Sequence, residues 1–421
     1  MKVSKKLIVC LLALGLMTGC SSKKTENQPS QSEIATEITA PVEITFWHAM
    51  SGAQEESLKK LTDKFMSENK NITVNLQNQS SYADLQQKLT ATMASPKNLP
   101  TLTQAYPDWM LNPIKDGLVV GLDNFINHET IGFKDYKDVL PSFREATNID
   151  GVTYGIPFNK STEVLWYNKT LFDELGLKVP TTMEEFANVA KEIKTKKGIV
   201  GGGFDSLSNY YTTFLKNEGA TYDAKFDPSS EASVKAVDYY LKGIKEGYFR
   251  IAGTDKFLSG PFANETIGMF IGSNASETFV TNGVDGKFEI GVAPYPAENK
   301  MQQGTDLYVF SSATPEQQTA AFEYLKFLTT NENQLTWANE SGYIPVRSST
   351  LESNEYKTSG SAVAPILSDA TKGLYTNPVL TGADSAYRES ATMLESILAQ
   401  PSTDVKTKLN EFKSTLNTIW E

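Results

Sequence analysis

Cysteine and histidine are nearly missing from this chain, and most catalytic chemistry goes with them. Of the two cysteines, Cys10 lies inside an apolar run near the start and Cys20 at its end. Removal of that run as a leader leaves one thiol, so no disulfide forms within a molecule. The two histidines, His48 and His128, stand apart and outside any metal-ligand spacing such as H-E-x-x-H. No G-x-S-x-G elbow is present, and Gly201-Gly202-Gly203 lacks the lysine and spacing of a phosphate-binding loop, so it reads as a turn. The carboxylate pairs Glu55-Glu56 and Glu184-Glu185 fall at helix starts, where the macrodipole favours negative charge, and read as structural. This inventory argues against an enzyme and calls for no metal and no cofactor. Basic blocks are also scarce. A formal net charge of -11 disfavours nucleic acid, whose phosphates need clustered Lys and Arg. Past the leader, no run approaches the roughly 18 apolar residues that span a bilayer.

What is present begins with length. At 421 residues the chain exceeds one ordinary core, and two domains are expected. Lys2, Lys5 and Lys6, the apolar Leu7 to Met17 and the small-residue site Thr18-Gly19-Cys20 make residues 1–20 a signal peptide. Its loss takes the net charge from -11 to about -14, three lysines leaving with it. Residues 21–41 are polar with almost nothing to bury, which predicts a disordered tether.

Val42 to Trp47 then reads as a strand, and Leu58, Leu61, Phe65 and Met66 recur at helical spacing. Ile72 to Leu76 alternates as a strand, Tyr82 to Met93 forms a helix, and Leu102 to Tyr106 a third strand. This β-α-β-α-β order predicts a parallel sheet. Further on, strands are expected at Glu163 to Tyr167, from Ile199, at Ile267 to Ile271, at Phe288 to Ala293 and at Asp306 to Phe310. Helices are expected at Thr182 to Lys194, Tyr210 to Asn217, Lys235 to Lys245 and Pro315 to Leu328. Ala362 to Glu421 reads as helices alone.

The centre of the chain is Gly155 to Leu177, G-I-P-F-N-K-S-T-E-V-L-W-Y-N-K-T-L-F-D-E-L-G-L. Pro157 keeps its surroundings extended, and Asn168 offers a cap to a short helix ending at Gly176. This stretch resembles the extracellular solute-binding proteins that feed ABC importers, where a segment P-F-N-x-S-T-x-V-L-x-Y-N-K crosses a hinge and meets the ligand. Ile44 to His48 and Gly342-Tyr343-Ile344-Pro345 carry the resemblance further. It implies an α/β, two-lobed periplasmic-binding-protein fold with a three-crossover hinge and a ligand cleft between lobes. The lobes would be 42–157 with 305–347, and 158–304 with 348–421. Leu16-Met17-Thr18-Gly19-Cys20 looks like a bacterial lipobox, which implies acylation of Cys20 and anchoring on the outer face of the membrane.

Sugar rings offer an apolar face and a hydroxyl rim, so their sites need flat aromatics and paired polar groups. Trp47 to Met50, and Tyr106, Asp108 and Trp109, follow strand ends where open α/β sheets bind ligands. Asp108, after Pro107, equally suits a helix cap. Within the glycerol-3-phosphate-binding branch of the family, Tyr82, Ser161, Ser273, Gly304, Tyr343 and Arg388 stand at positions matching ligand contacts. The acid that follows Tyr directly in that branch is displaced here to Asp108, and Tyr210, with Asn209 and Tyr211, stands near a missing tryptophan loop. These differences favour a sugar or oligosaccharide, with glycerol-3-phosphate or a glycerophosphodiester as the alternative. The resemblance implies a monomer that hands its solute to ABC permease subunits. A secreted glycoside hydrolase is the rival of another class, and a structural or adhesive lipoprotein a third.

Overall fold

The computed structural model describes residues 34–421. The signal peptide and the lipobox Cys20 lie outside the described residues, as does most of the expected tether. Its last part is a correction: Ile34 and Ile38, four apart in a polar stretch, pack against the first core, Ala35 accepts a hydrogen bond from Thr319 at 2.7 Å, and Ile38 accepts one from Asn71 at 3.0 Å. Two isoleucines are enough apolar surface to dock this segment rather than leave it disordered.

Among the described residues there are twelve strands: β1 Val42–His48, β2 Ile72–Asn78, β3 Leu102–Ala105, β4 Asn148–Ile149, β5 Val152–Thr153, β6 Gly155–Asn168, β7 Gly202–Phe204, β8 Phe249–Ile251, β9 Met269–Ser273, β10 Ile290–Pro294, β11 Lys300–Val309 and β12 Leu374–Tyr375. Apart from the small β4–β5 hairpin they join in the order β2-β1-β3-β11-β6-β9-β7-β8, with β10 also on β6 and β12 on β11. β1 pairs in parallel with β2 and β3, as β-α-β order requires.

One strand serves both lobes. Gly155 to Thr162 of β6 pairs with β11 on the first-lobe side, and Glu163 to Asn168 pairs with β9 and β10 of the second. The expected strand at Glu163 to Tyr167 is thus the second half of a single fourteen-residue strand. Both its faces are buried, which erases the alternation that marks a half-exposed strand. The three crossings meet at Lys160, which lies opposite Gly304 in β11 and bridges to Ile344. Gly304 has φ +95°, and a Cβ there would come within 1.7 Å of the Asn159 carbonyl oxygen. Glycine is therefore required for this approach, beside the register shift between Thr305 and Asp306.

Local signals set the helices that frame the cleft. Ser81 caps Tyr82–Met93 by accepting from Asp84 N–H at 3.1 Å. Thr314 and Gln317 form a capping box on Pro315–Leu328. Asn168 caps Lys169–Leu175, which stops at left-handed Gly176. In the C-terminal part, the expectation of helices alone fails at β12, whose Leu374 and Tyr375 add to β11. One core gathers Phe46, Leu58, Phe65, Phe322 and Trp337; a second gathers Phe186, Phe204, Tyr210, Tyr240 and Leu394. Among the described residues no helix is long and apolar enough to cross a membrane, and no group of three His, Cys, Asp or Glu side chains could hold a metal ion.

Candidate functional site

A cavity of about 230 Å³ opens where the crossing strands meet the two lobes. Its first-lobe wall is Tyr106 to Trp109, the turn that follows β3. Pro107 starts a short 3-10 helix there, and Tyr106 and Trp109 pack edge to face with ring centroids 5.1 Å apart. The floor is Lys160 with Gln302, Gln303 and Gly304, and the opposite wall carries Asn209, Asp384 and Tyr387, closed by Thr376 to Val379.

Behind the first wall the aromatic residues continue inward. Tyr82 lies 5.6 Å from Tyr106 by ring centroid, its hydroxyl 3.2 Å from that of Tyr343. Tyr343 stacks on Trp337, which stacks on Phe158 of β6. This column ties the wall to two of the crossings.

The floor holds a buried ion pair. Lys160 Nζ lies 3.0 Å from Asp306 Oδ1 and 3.2 Å from Oδ2 and donates to the Gly304 carbonyl at 3.3 Å; the side chains are 2% and 0% exposed. Burial pushes the Asp306 carboxyl up, and Lys160 opposes that shift. The second wall is a relay in which the Tyr387 hydroxyl donates to Asn209 Oδ1 and Asn209 Nδ2 donates to Glu163 Oε1 at 3.0 Å. Burial pushes Glu163 up to about 8, so it holds a proton at neutral pH. Asp108 is pushed up to about 6, by burial first and by nearby Asp384 second.

Several buried polar atoms near the crossings lack a protein partner: Gln104 Nε2 and Oε1, Asn159 Oδ1, Thr305 Oγ1, and in the lining Trp109 Nε1 and Gln302 Oε1. Such groups are costly in a sealed interior and are matched by a polar ligand or its water.

The family of bacterial extracellular solute-binding proteins matches residues 60–364. The chain belongs to that family. Among its relatives is the sn-glycerol-3-phosphate-binding periplasmic protein UgpB of Escherichia coli K12, 25% identical over 327 residues, 72% of this chain and 74% of the relative. Among solved structures, UgpB from Mycobacterium tuberculosis in complex with glycerophosphocholine superposes with a TM-score of 0.79 at 21% identity, over 90% of this chain and 98% of that one. Maltose-bound T. maritima MalE3 gives 0.77 at 19%, over 90% and 99%. The fold of this solute-binding protein is two-lobed, and the cavity lies in its cleft.

Among the expected site residues, Asp108 and Gly304 line the cavity, while Tyr82 and Tyr343 stand one ring behind Tyr106. Four others lie outside the lining of this cavity. Tyr210 is wholly buried in the second core, its hydroxyl donating to the Ala236 carbonyl at 2.6 Å. Ser273 ends β9 and caps the next turn by accepting from Ala275 N–H at 3.2 Å. Ser161 is buried in β6 opposite Gln303, outside the lining. Arg388 is 58% exposed and holds Asp384 at 2.6 Å and Gln86 at 3.1 Å, so its guanidinium is engaged at the rim.

Sequence reasoning missed Lys160, Gln302, Asp384 and Tyr387. Lys160 belongs to the quoted N-K-S-T tetrad, and its place beside hinge-crossing Pro157 was the available signal. Asp384 and Tyr387 sit on a helix face that in sequence looks like any solvated face.

Proposed function

We propose that this solute-binding protein captures a carbohydrate outside the cell and delivers it to an ABC permease. The observation that carries the reading is the lining itself. Aromatic rings of Tyr106, Trp109 and Tyr387 stand with the acceptor oxygens of Asp108, Asp384 and Gln302, while the cation of the floor, Lys160, is already paired with Asp306. Carboxylates accept from hydroxyls and repel phosphate, so this wall suits a polyol ring better than an anion. Asp384 supplies the second carboxylate that the sequence did not offer. In a binding protein the two acids serve as hydroxyl acceptors, and the sugar leaves intact.

Capture works through closure of lobes 42–157 with 305–347 on lobes 158–304 with 348–421 about the crossings at Lys160. A ligand touching both walls gains contacts the open form lacks and shifts the equilibrium toward the closed form. Cys20, acylated and left as the first residue once residues 1–19 are removed, would hold the monomer to the outer face of the membrane. Cys20→Ser should release it into the medium.

A second reading, a glycerophosphodiester, draws support from the relatives named for glycerol-3-phosphate and crystallised with glycerophosphocholine. Titration calorimetry with maltose, maltotriose, sn-glycerol-3-phosphate and glycerophosphocholine separates the two. The carbohydrate reading expects a saccharide to bind, be recovered uncleaved, and outcompete both phosphates. Binding of the phosphorylated glycerols alone overturns it.

A further inference from the structure

The cavity wall also has a charge character that a neutral sugar does not use. Asp108 lines the cavity, and the cations of this region are committed elsewhere, Lys160 to Asp306 and Arg388 to Asp384. The charged groups that face Asp108 are Asp384 and Arg388, both on the helix Ala383–Leu398. Opposite signs on that helix leave Asp108 without a net counter-charge. Its rise to about 6 records the cost of holding a carboxylate there.

A second, independent observation points the same way: Tyr106 and Trp109, which line the cavity on either side of Asp108 with ring centroids 5.1 Å apart, add π faces that attract cations as well as sugar C–H groups. A bare hydroxyl satisfies one acceptor. An ammonium donates three times, offsets the carboxylate and gains from the rings.

We propose that the solute is an amino-bearing carbohydrate whose protonated amine is held by Asp108 beside Tyr106 and Trp109. The proposal rests on the carbohydrate reading and narrows it.

The test uses three β-1,4 disaccharides that share a backbone and differ at C2: cellobiose (hydroxyl), N,N'-diacetylchitobiose (acetamide) and the glucosamine disaccharide (amine). Calorimetry on the full chain at pH 7.5 and low salt is expected to show the amine binding about tenfold tighter than either neutral partner. That advantage should shrink to within about threefold in Asp108→Asn, and in the wild type at pH 5, where Asp108 has taken up its proton. Asp108→Asn should melt no lower than the wild type, which shows that the lost preference is not lost folding. Equal or tighter binding of a neutral disaccharide overturns the amine and leaves the carbohydrate reading standing. Failure of the amine disaccharide to bind also overturns it, and if no saccharide of either panel binds while a phosphorylated glycerol does, both readings fall together.

Discussion

Two groups of buried tyrosines, one in the second core and one at the cleft, differ in where their hydroxyls go. In the core, Tyr210 donates to the Ala236 carbonyl at 2.6 Å, Tyr240 to the Arg250 carbonyl at 2.8 Å and Tyr222 to the Ala386 carbonyl at 2.6 Å. Each polar head is committed to main chain, and what remains is apolar area locked in an aromatic cluster. At the cleft, Tyr82 and Tyr343 meet each other hydroxyl to hydroxyl, amid polar atoms of Gln104, Asn159 and Thr305 that have no partner. A tyrosine satisfied by main chain is structural, and we propose that the tyrosines among unsatisfied side chains near the crossings belong to recognition.

The strongest way to break that contrast is to truncate one residue from each group. Tyr210→Ala removes a fully buried ring and should cost about 3–5 kcal/mol in urea unfolding, with the folded fraction binding solute normally. Tyr106 is only partly exposed in the wall, and Tyr106→Ala should cost about 1 kcal/mol while weakening binding at least tenfold. If Tyr210→Ala lost affinity with stability intact, the division between core and cleft would be wrong.

The next effect lies at the floor. Asp306→Asn leaves the Lys160 ammonium buried without its carboxylate and should destabilise by about 3–5 kcal/mol. Lys160→Met combined with Asp306→Leu should recover much of that loss, because two apolar side chains carry no desolvation cost. A double variant no better than the single one would assign the loss to packing rather than charge.

The sequence made the first lobe legible and the crossings much less so. β2 and the helix Tyr82–Met93 each have one buried and one exposed face, which periodicity reports. β11 was expected only from Asp306. Its first half, Lys300 to Gly304, is a polar stretch, and its side chains form floor rather than core. At the site, Asp108 was legible from its place after a strand end. The adjacent Tyr210 and Tyr211 suit both a sugar face and a core, and sequence proximity to Asn209, which does reach the cavity, could not separate them. Ser161 and Ser273 came from the family resemblance rather than from local pattern; here Ser273 caps a turn and Ser161 sits in the register of β6.

An effect that grows with pH concerns the second wall. Glu163 titrates near 8 in the folded protein against 4.5 for an ordinary glutamate. Between those values the unfolded chain binds fewer protons than the native one, so this group lowers stability as pH rises and its effect levels off above 8. Glu163→Gln cannot ionise. It should match the wild type near pH 4.5 and gain on it toward pH 8, at up to about 1.4 kcal/mol per pH unit. Urea unfolding at several pH values checks this, and a gap that does not change with pH would mean that Glu163 is ionised in the fold.

The central claim is that solute is held between the Tyr106–Trp109 turn of one lobe and the Asp384–Tyr387 helix face of the other. Hydrogen–deuterium exchange, with and without a saturating concentration of the tightest-binding disaccharide, measures this directly. Slowed exchange in both segments and at the crossing around Lys160, with Tyr210 to Leu215 unchanged, is the predicted result. Protection confined to one wall, or centred on the Tyr210 helix, would contradict it.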